Sequence, residues 1–312
     1  MPEVSVVFSV LNGAAQLPRT LESILAQADA DFEVIAVNDG SSDGSGTLLD
    51  DYACRDKRIA VVHQDNQGLT KALIQGCQLA SGEYIARQDV GDRSLPGRFT
   101  AQLAVLKKNP RAVMTACGTR FMDIEGNHLF DAVDSGDELD SKLRATREKQ
   151  LRGPSHHGAV MFRRDAYEKA GGYRIPFYVA QDLDLWTRLI EHGICIAIPE
   201  ILYEATWAPG SISHLRRKQQ AIATKAILAC RKLRLQGKDE QPVLDRLLKT
   251  VNRDNKAVGY PEGLLLSRYH YFAGSLLEKQ DPLAAKRHFD LAIAAWPLHC
   301  KARLKRFRIS KI

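Results

Sequence analysis

FEVIAVNDGSSDGSG, residues 32–46, decides the fold. A β-branched apolar run breaks into a string of Asn, Asp, Gly and Ser, and a helical pattern resumes beyond it. A buried strand that ends in a turn and feeds a helix is half of a βαβ unit. The same grammar repeats on both sides. Upstream, Val4–Val10 (VSVVFSV) reads as a buried strand, with Leu17, Leu21, Ile24 and Leu25 following at helical spacing. Downstream, Ile59–His63, Tyr84–Ala86 and Val113–Cys117 read as strands, separated by helices over 69–80 and from Pro96 to 108. Such alternation over 1–118 predicts an α/β fold. It is a doubly wound, mostly parallel sheet, covered on both faces, that binds ligands at the carboxyl ends of its strands.

The polar residues at those ends are Ser9 and Asn12, then Asn38, Asp39 and Ser41, then Asp65, Asn66 and Gln67, then Arg87, Gln88, Asp89 and Asp92. They are scattered in sequence, and this architecture brings them to one rim. No GxGxxG follows the first strand and no GxxxxGK[ST] occurs, which excludes the dinucleotide fingerprint and the P-loop. Carboxylates at adjacent strand ends remain. A carboxylate can accept from a ribose or a base, or hold a hard divalent cation that bridges a diphosphate. A sugar nucleotide has all of these parts.

Beyond residue 118 the pattern is mixed. FMDIEGNHLF, 121–130, reads as a hairpin turning at Glu125-Gly126-Asn127, Ala159–Phe162 as a short strand, and Gln181–His192 as a helix with Leu183, Trp186, Leu189 and Ile190 on its apolar face. From 214 onward the chain reads as helical. Tyr269, Phe272, Ala273, Leu276, Ala285, Phe289, Ala292 and Pro297 fall at the spacing of one tetratricopeptide-like hairpin, which cannot bury its own face alone and needs a neighbour or a second subunit.

Composition bounds the partners. The chain has 312 residues, 45% hydrophobic and 26% charged, enough for one large domain and a small one. No apolar run approaches the roughly 18–20 residues of a membrane span. The N-terminus enters a strand directly, without a basic leader, so no secretory signal is expected. Six cysteines without a CxxC pair read as reduced core residues of a cytoplasmic protein, not as a zinc site. The net charge of +7 hides an asymmetry: residues 215–312 hold 22 basic and 8 acidic side chains, and the remainder 22 and 29. This places a boundary between a nucleotide-binding domain, 1–213, and a basic helical region, 214–312. The basic region suits an anionic membrane surface, an anionic glycan or a second copy of the chain. It lacks the interleaved aromatics of a single-strand nucleic-acid binder.

Five segments, VSVVFSVLNG, VNDGSSDGS, DNQGLTKAL, SGEYIARQDVGDRSLPGRF and QDLDLWTRL, stand in the order and spacing of family 2 glycosyltransferases, which the chain resembles over about residues 1–215. The resemblance implies an inverting enzyme of the GT-A fold. It would move a sugar from a nucleoside-diphosphate donor, UDP-linked for preference, to a hydroxyl of a glycan or lipid-linked acceptor. It implies surface polysaccharide synthesis on the cytoplasmic side, with the protein peripheral to the inner face of the membrane. It assigns Ser9, Asp39, Lys71 and Asp89 to the nucleotide sugar and Asp182 to the general base. His157 and Trp186 go to the acceptor side. Asp89 and Asp92 go to a divalent cation, Mg²⁺ or Mn²⁺.

Departures from the family pattern matter. Where relatives carry Asp-x-Asp, this chain has Asp89-Val90-Gly91, and glycine offers no ligand oxygen. Asn38 and Gln181 each replace an acid. A loss at position 91 leaves three readings: Asp89 or Asp92 takes over the cation, the diphosphate and water hold most of it, or binding is weak. It also motivates an alternative of another class, an inactive scaffold recruiting partners through its helical tail. A nucleotidyltransferase would need a Gly-rich basic segment after the first strand, which SVLNGAAQLPRT does not supply. His156 and His157 are adjacent, and neighbours along a strand face opposite ways, so the pair does not suit one ion.

Overall fold

The computed structural model describes residues 1–208, 216–254, 261–278 and 280–309. The strand–helix alternation is realised as β1 (Val4–Val10), α1 (Leu17–Leu25), β2 (Phe32–Asp39), α2 (Ser45–Arg55), β3 (Ile59–Gln64), α3 (Leu69–Leu79) and β4 (Tyr84–Arg87). β3, β2, β1 and β4 lie side by side and parallel. Alternation along β1 splits the core. Val6 and Phe8 join Leu17, Leu21 and Ile24 on one face, while Val7 joins Ile35, Leu73 and Leu185 on the other. α3 lies so close to the sheet that a Cβ on Gly76 would meet Val7 Cγ1 at 2.6 Å.

The sheet then changes sense. β5 (Arg93–Ser94), α4 (Arg98–Lys108), β6 (Ala112–Met122), β7 (His128–Ala132), α5 (Gly136–Leu143), β8 (Val160–Arg163), α6 (Arg164–Lys169), α7 (Gln181–Leu189) and β9 (Ile194–Thr206) complete it in the order β3-β2-β1-β4-β8-β6-β9-β5, with β7 on β6. β8 runs antiparallel to both β4 and β6, and β9 antiparallel to β5. The fold is therefore α/β of the expected class, with a parallel half and an antiparallel half. Periodicity over 1–118 speaks only for the parallel half, and the strand at 113–117 belongs to the other.

The helices that follow are α8 (Arg217–Leu235), α9 (Gln241–Asp254), α10 (Glu262–Leu277), α11 (Pro282–Ala295) and α12 (Cys300–Ile309). Two compact units emerge, and they do not divide at 213/214. The first is 1–119, 132–205 and 218–253, so α8 and most of α9 belong with the sheet; the second is 120–131, 206–217 and 254–312. A change in charge marked the boundary in the sequence, but packing sets it. Ala223, Ile227 and Cys230 of α8 are buried against Leu151, Phe177 and Val179. Arg174 bridges Glu240 at 2.7 Å, and Arg234 joins Glu240 at 2.6 Å and Glu191 at 2.8 Å.

In the second unit the tetratricopeptide-like spacing is a real hairpin of α10 and α11. Ala273, Ala285, Phe289 and Ala292 are fully buried, and a Cβ on Gly274 would lie 2.9 Å from the Phe289 ring. The neighbour it needs is supplied by the same chain: Leu129 and Phe130 of the 121–130 hairpin, Trp207, and Ala302 of α12. No helix among the described residues is long and apolar enough to cross a membrane.

Candidate active site

Three loops at the carboxyl ends of β1, β2 and β3 are joined by short polar side chains. Asn12 accepts from the Ser42 amide at 2.8 Å, Ser41 Oγ accepts from the Asn12 amide at 2.9 Å, and Asp43 and Ser45 accept from Ala14 and Gly13. Asn12 takes φ +55°, an uncommon conformation that this network over-determines. Asp39, 3% exposed, accepts from Gln64 Nε2 at 2.6 Å and from the Gln67 and Gly68 amides at 2.8 and 2.9 Å. Its first effect is thus to fix the third loop, and Gly40 lets that loop come close, since a Cβ there would meet the Asn66 nitrogen at 2.6 Å. Ser9, half-buried on β1, stands beside Val37 in register. Lys71 is exposed on α3.

The segment after β4 is a turn. The Asp92 amide donates to the Asp89 carbonyl at 3.3 Å, and Gly91, third of the four, has φ +97°. A turn of this kind needs a positive φ at its third position, which glycine adopts without strain. So Gly91 shapes the turn, and Asp89 and Asp92 are its two ends. His156 completes the group: ligand atoms of Asp89, Asp92 and His156 all lie within 4.8 Å of one another. Its ring sits 3.9 Å from Asp89 Oδ2 and 3.6 Å from Asp92 Oδ2. Two carboxylates and an imidazole are a fitting donor set for a divalent cation, the nitrogen favouring Mn²⁺ over Mg²⁺. Asp89 and Asp92 were expected; His156 was missed, because the adjacent pair was weighed together. The pair lies at the start of a short 3-10 turn, not on a strand; His156 meets Asp89 and Asp92, while His157 meets Arg87 and Tyr173.

Buried cations support this cluster. Arg87, fully buried, donates to Asp89 Oδ1 at 2.8 Å, to His157 Nε2 at 3.2 Å and to the Val7 carbonyl. Burial would raise the Asp89 carboxyl, but the Arg87 guanidinium beside it outweighs burial and holds it below its ordinary value. His157, expected on the acceptor side, is instead buried behind the rim, accepting from Arg87 and bonded to Tyr173 at 2.8 Å. Burial, and then Arg87, push it down to about 3, so it is neutral. Tyr203 arrives from β9, because the β5–β9 register sets Ser94 beside it. Its hydroxyl donates to Asp92 Oδ2 at 2.9 Å and accepts from the Asp89 amide at 3.1 Å. A Cβ on Gly158 would lie 1.9 Å from that hydroxyl, so glycine is required there. Arg98, buried without a carboxylate partner among the described residues, ties the Arg87 and Gly158 carbonyls at 2.8 and 2.6 Å and lies under the Tyr203 ring.

Asp182 opens α7. The residue before the helix, Ala180, has φ +54°, a second uncommon conformation at this rim. Asp182 and Trp186 line a cleft of about 520 Å³ with Arg152, Gly153, Gln220 and Thr224, the last two from α8. The Asp182 carboxyl is raised above its ordinary value, first by burial and then by the negative charge of Asp89. The two acids therefore share one electrostatic neighbourhood. Asp184, by contrast, is 1% exposed and pinned between Arg174 and Arg188. Trp186 is 2% exposed, with Gly153 packed so tightly on its ring that a Cβ would approach to 2.5 Å. It is a wall that packing holds. Its indole N–H has no hydrogen-bond partner among the described residues.

The site is thus a parallel half-sheet with carboxylates and a cation-fitting cluster at its rim, together with a half-buried acid in a cleft. Comparison supplies the class. Residues 5–171 match the profile of "Glycosyl transferase family 2", and the chain belongs to that family. The Bacillus subtilis protein EpsE is 29% identical over 277 residues, covering 86% of this chain and 93% of EpsE. Among solved structures, S. aureus TarS in complex with UDP-GlcNAc superposes with TM-score 0.58 at 15% identity, covering 98% of this chain and 89% of that one. The mannosyltransferase PcManGT from Pyrobaculum calidifontis, in complex with GDP-Man and Mn²⁺, gives 0.54 at 18% identity over 99% and 84%. At those identities the likeness establishes the GT-A fold, and family membership makes the chain a transferase enzyme.

Proposed function

We propose that the protein is an inverting glycosyltransferase that moves a sugar from a UDP-linked donor to a hydroxyl of a glycan or lipid-linked acceptor. The half-buried carboxyl of Asp182 in its cleft, raised first by burial and then by the charge of Asp89, is the observation that carries this reading. Asp182 accepts the proton of the acceptor hydroxyl as that oxygen attacks the anomeric carbon from the face opposite the leaving diphosphate. A carboxyl tuned upward is a stronger base.

Ser9 and Asp39 lie where a uridine would meet the strand ends, and Lys71 stands on the helix behind the third loop. Asp89, Asp92 and His156 would hold Mn²⁺ or Mg²⁺. A cation there neutralises charge on the departing diphosphate. Arg87 keeps Asp89 ionised and oriented, and the Tyr203 hydroxyl holds Asp92 in place. Trp186 forms the acceptor-side wall; His157 acts only by positioning Arg87. The TarS and PcManGT complexes support a nucleotide-sugar donor and a divalent cation in this fold. The proposed setting is surface polysaccharide assembly, with the enzyme in the cytoplasm and peripheral to the inner face of the membrane.

The test is Asp182→Asn. Transfer should fall by about 10²–10⁴ while UDP affinity holds. Transfer at the wild-type rate would remove Asp182 from the base role.

A further inference from the structure

α12 carries two apolar stripes, one inward and one outward. Ala302 and Ile309 are buried in the core of the second unit. At about 100° per residue, Cys300, Leu304 and Phe307 fall together on the opposite side. Leu304 is 53% exposed and Phe307 58% exposed, and Cys300 is also exposed. The same rotation sets Arg303 on one flank of this outer stripe and Lys301 and Arg308 on the other. α12 contains five basic residues and no acid. Three of the five have partners in the fold: Lys305 bonds Glu278 at 2.6 Å, Arg306 bonds Asp290 at 2.8 Å, and Arg303 donates through Nε to the Pro297 carbonyl at 2.8 Å, which leaves the rest of its guanidinium exposed. Lys301, Arg303 and Arg308 are exposed.

We infer that α12 docks the protein on an anionic lipid surface, lying in the plane of the headgroups with Leu304 and Phe307 inserted and Lys301, Arg303 and Arg308 on lipid phosphates. Cations on both flanks of an exposed apolar stripe match a surface that is charged at the phosphates and apolar just beneath them. A helix that faced only solvent would have no use for the stripe, and cations without acids along it favour a partner of negative charge. The inference gives a structural element to the peripheral location proposed above and does not depend on the chemistry of Asp182.

The probe is the full chain sedimented with phosphatidylcholine vesicles, with and without phosphatidylglycerol, at low and high salt. Binding is expected only with phosphatidylglycerol, and it should weaken as salt screens the charges. Each cation should contribute about fivefold to partitioning, so K301Q/R303Q/R308Q should lose roughly a hundredfold. L304S/F307S should lose at least about tenfold. All these side chains are exposed, and UDP affinity should stay at the wild-type value in both variants, reporting an intact fold. No binding to phosphatidylglycerol vesicles, or binding that survives both variants, overturns the inference. So does a dimer in solution that L304S/F307S splits, which would make the stripe an interface between copies. Failure to bind UDP would instead sink the proposed function and leave this inference standing.

Discussion

Replacing Gly91 with aspartate restores the acid that relatives carry, and it should harm the protein. Gly91 has φ +97°. An L-residue in the left-handed region costs about 1–2 kcal/mol. Loss of glycine's freedom in the unfolded chain returns about 0.4–1 kcal/mol. The position is otherwise open, since a Cβ would meet only Gln16 Cβ and Cγ at 3.8 Å. The net is roughly 1 kcal/mol of destabilisation, or about 2–4 °C in Tm for a unit of this size. The turn that pairs Asp89 with Asp92 would be strained, so Mn²⁺-dependent UDP affinity should stay level or fall. Differential scanning fluorimetry and calorimetric titration of UDP measure both. An unchanged Tm together with UDP binding tightened tenfold or more would refute the argument, because position 91 would then be a vacant ligand site rather than a conformational requirement.

Tyr203→Phe removes the hydroxyl between Asp92 and the Asp89 amide. It should cost about 1–3 kcal/mol in stability, read by urea denaturation, and weaken Mn²⁺-dependent UDP binding. Asp182→Asn relieves a carboxyl that burial has raised, so Tm should rise while transfer is lost, and wild-type transfer should show an acid limb above the ordinary carboxylate range. In the second unit His270 and His288 meet Nδ1 to Nδ1 at 3.0 Å, with Asp123 3.4 Å from His288. Burial pushes His270 down to about 4 and also lowers His288. Because the folded values lie below the unfolded one, this stability is present above about pH 6.5 and lost as pH falls toward 4. Protection of α10 and α11 amides, relative to their intrinsic exchange rates, should fall across that window in wild type and stay flat in His270→Gln/His288→Gln.

The parallel half of the fold was legible because β-branched runs, turn clusters and 3.6-residue spacing are local signals. The same signals located Asp39, Asp89, Asp92 and Asp182 at strand and helix ends. What was not legible is long-range. Tyr203 reaches Asp92 from 111 residues away through the β5–β9 register, and nothing near either residue announces it. His156 was set aside with its neighbour by an argument from strand alternation, and the pair lies at a 3-10 turn instead. His157, which the resemblance assigns to the acceptor side, is buried against Arg87 by packing that no local signal announces. The charge step near 214 suggested a boundary, yet α8 packs on 151 and 177–179 and lines the cleft with Gln220 and Thr224. Composition measures a solvated surface, and that surface crosses the limits of compact units.

The most direct measurement is calorimetric titration of UDP into the wild-type protein and Asp92→Asn, each with and without Mn²⁺. The account predicts that Mn²⁺ tightens UDP binding to the wild type at least about tenfold, and that Asp92→Asn abolishes the gain while leaving the metal-free affinity in place. Equal UDP affinity with and without Mn²⁺, or a gain that survives in Asp92→Asn, would contradict a cation site built from Asp89, Asp92 and His156.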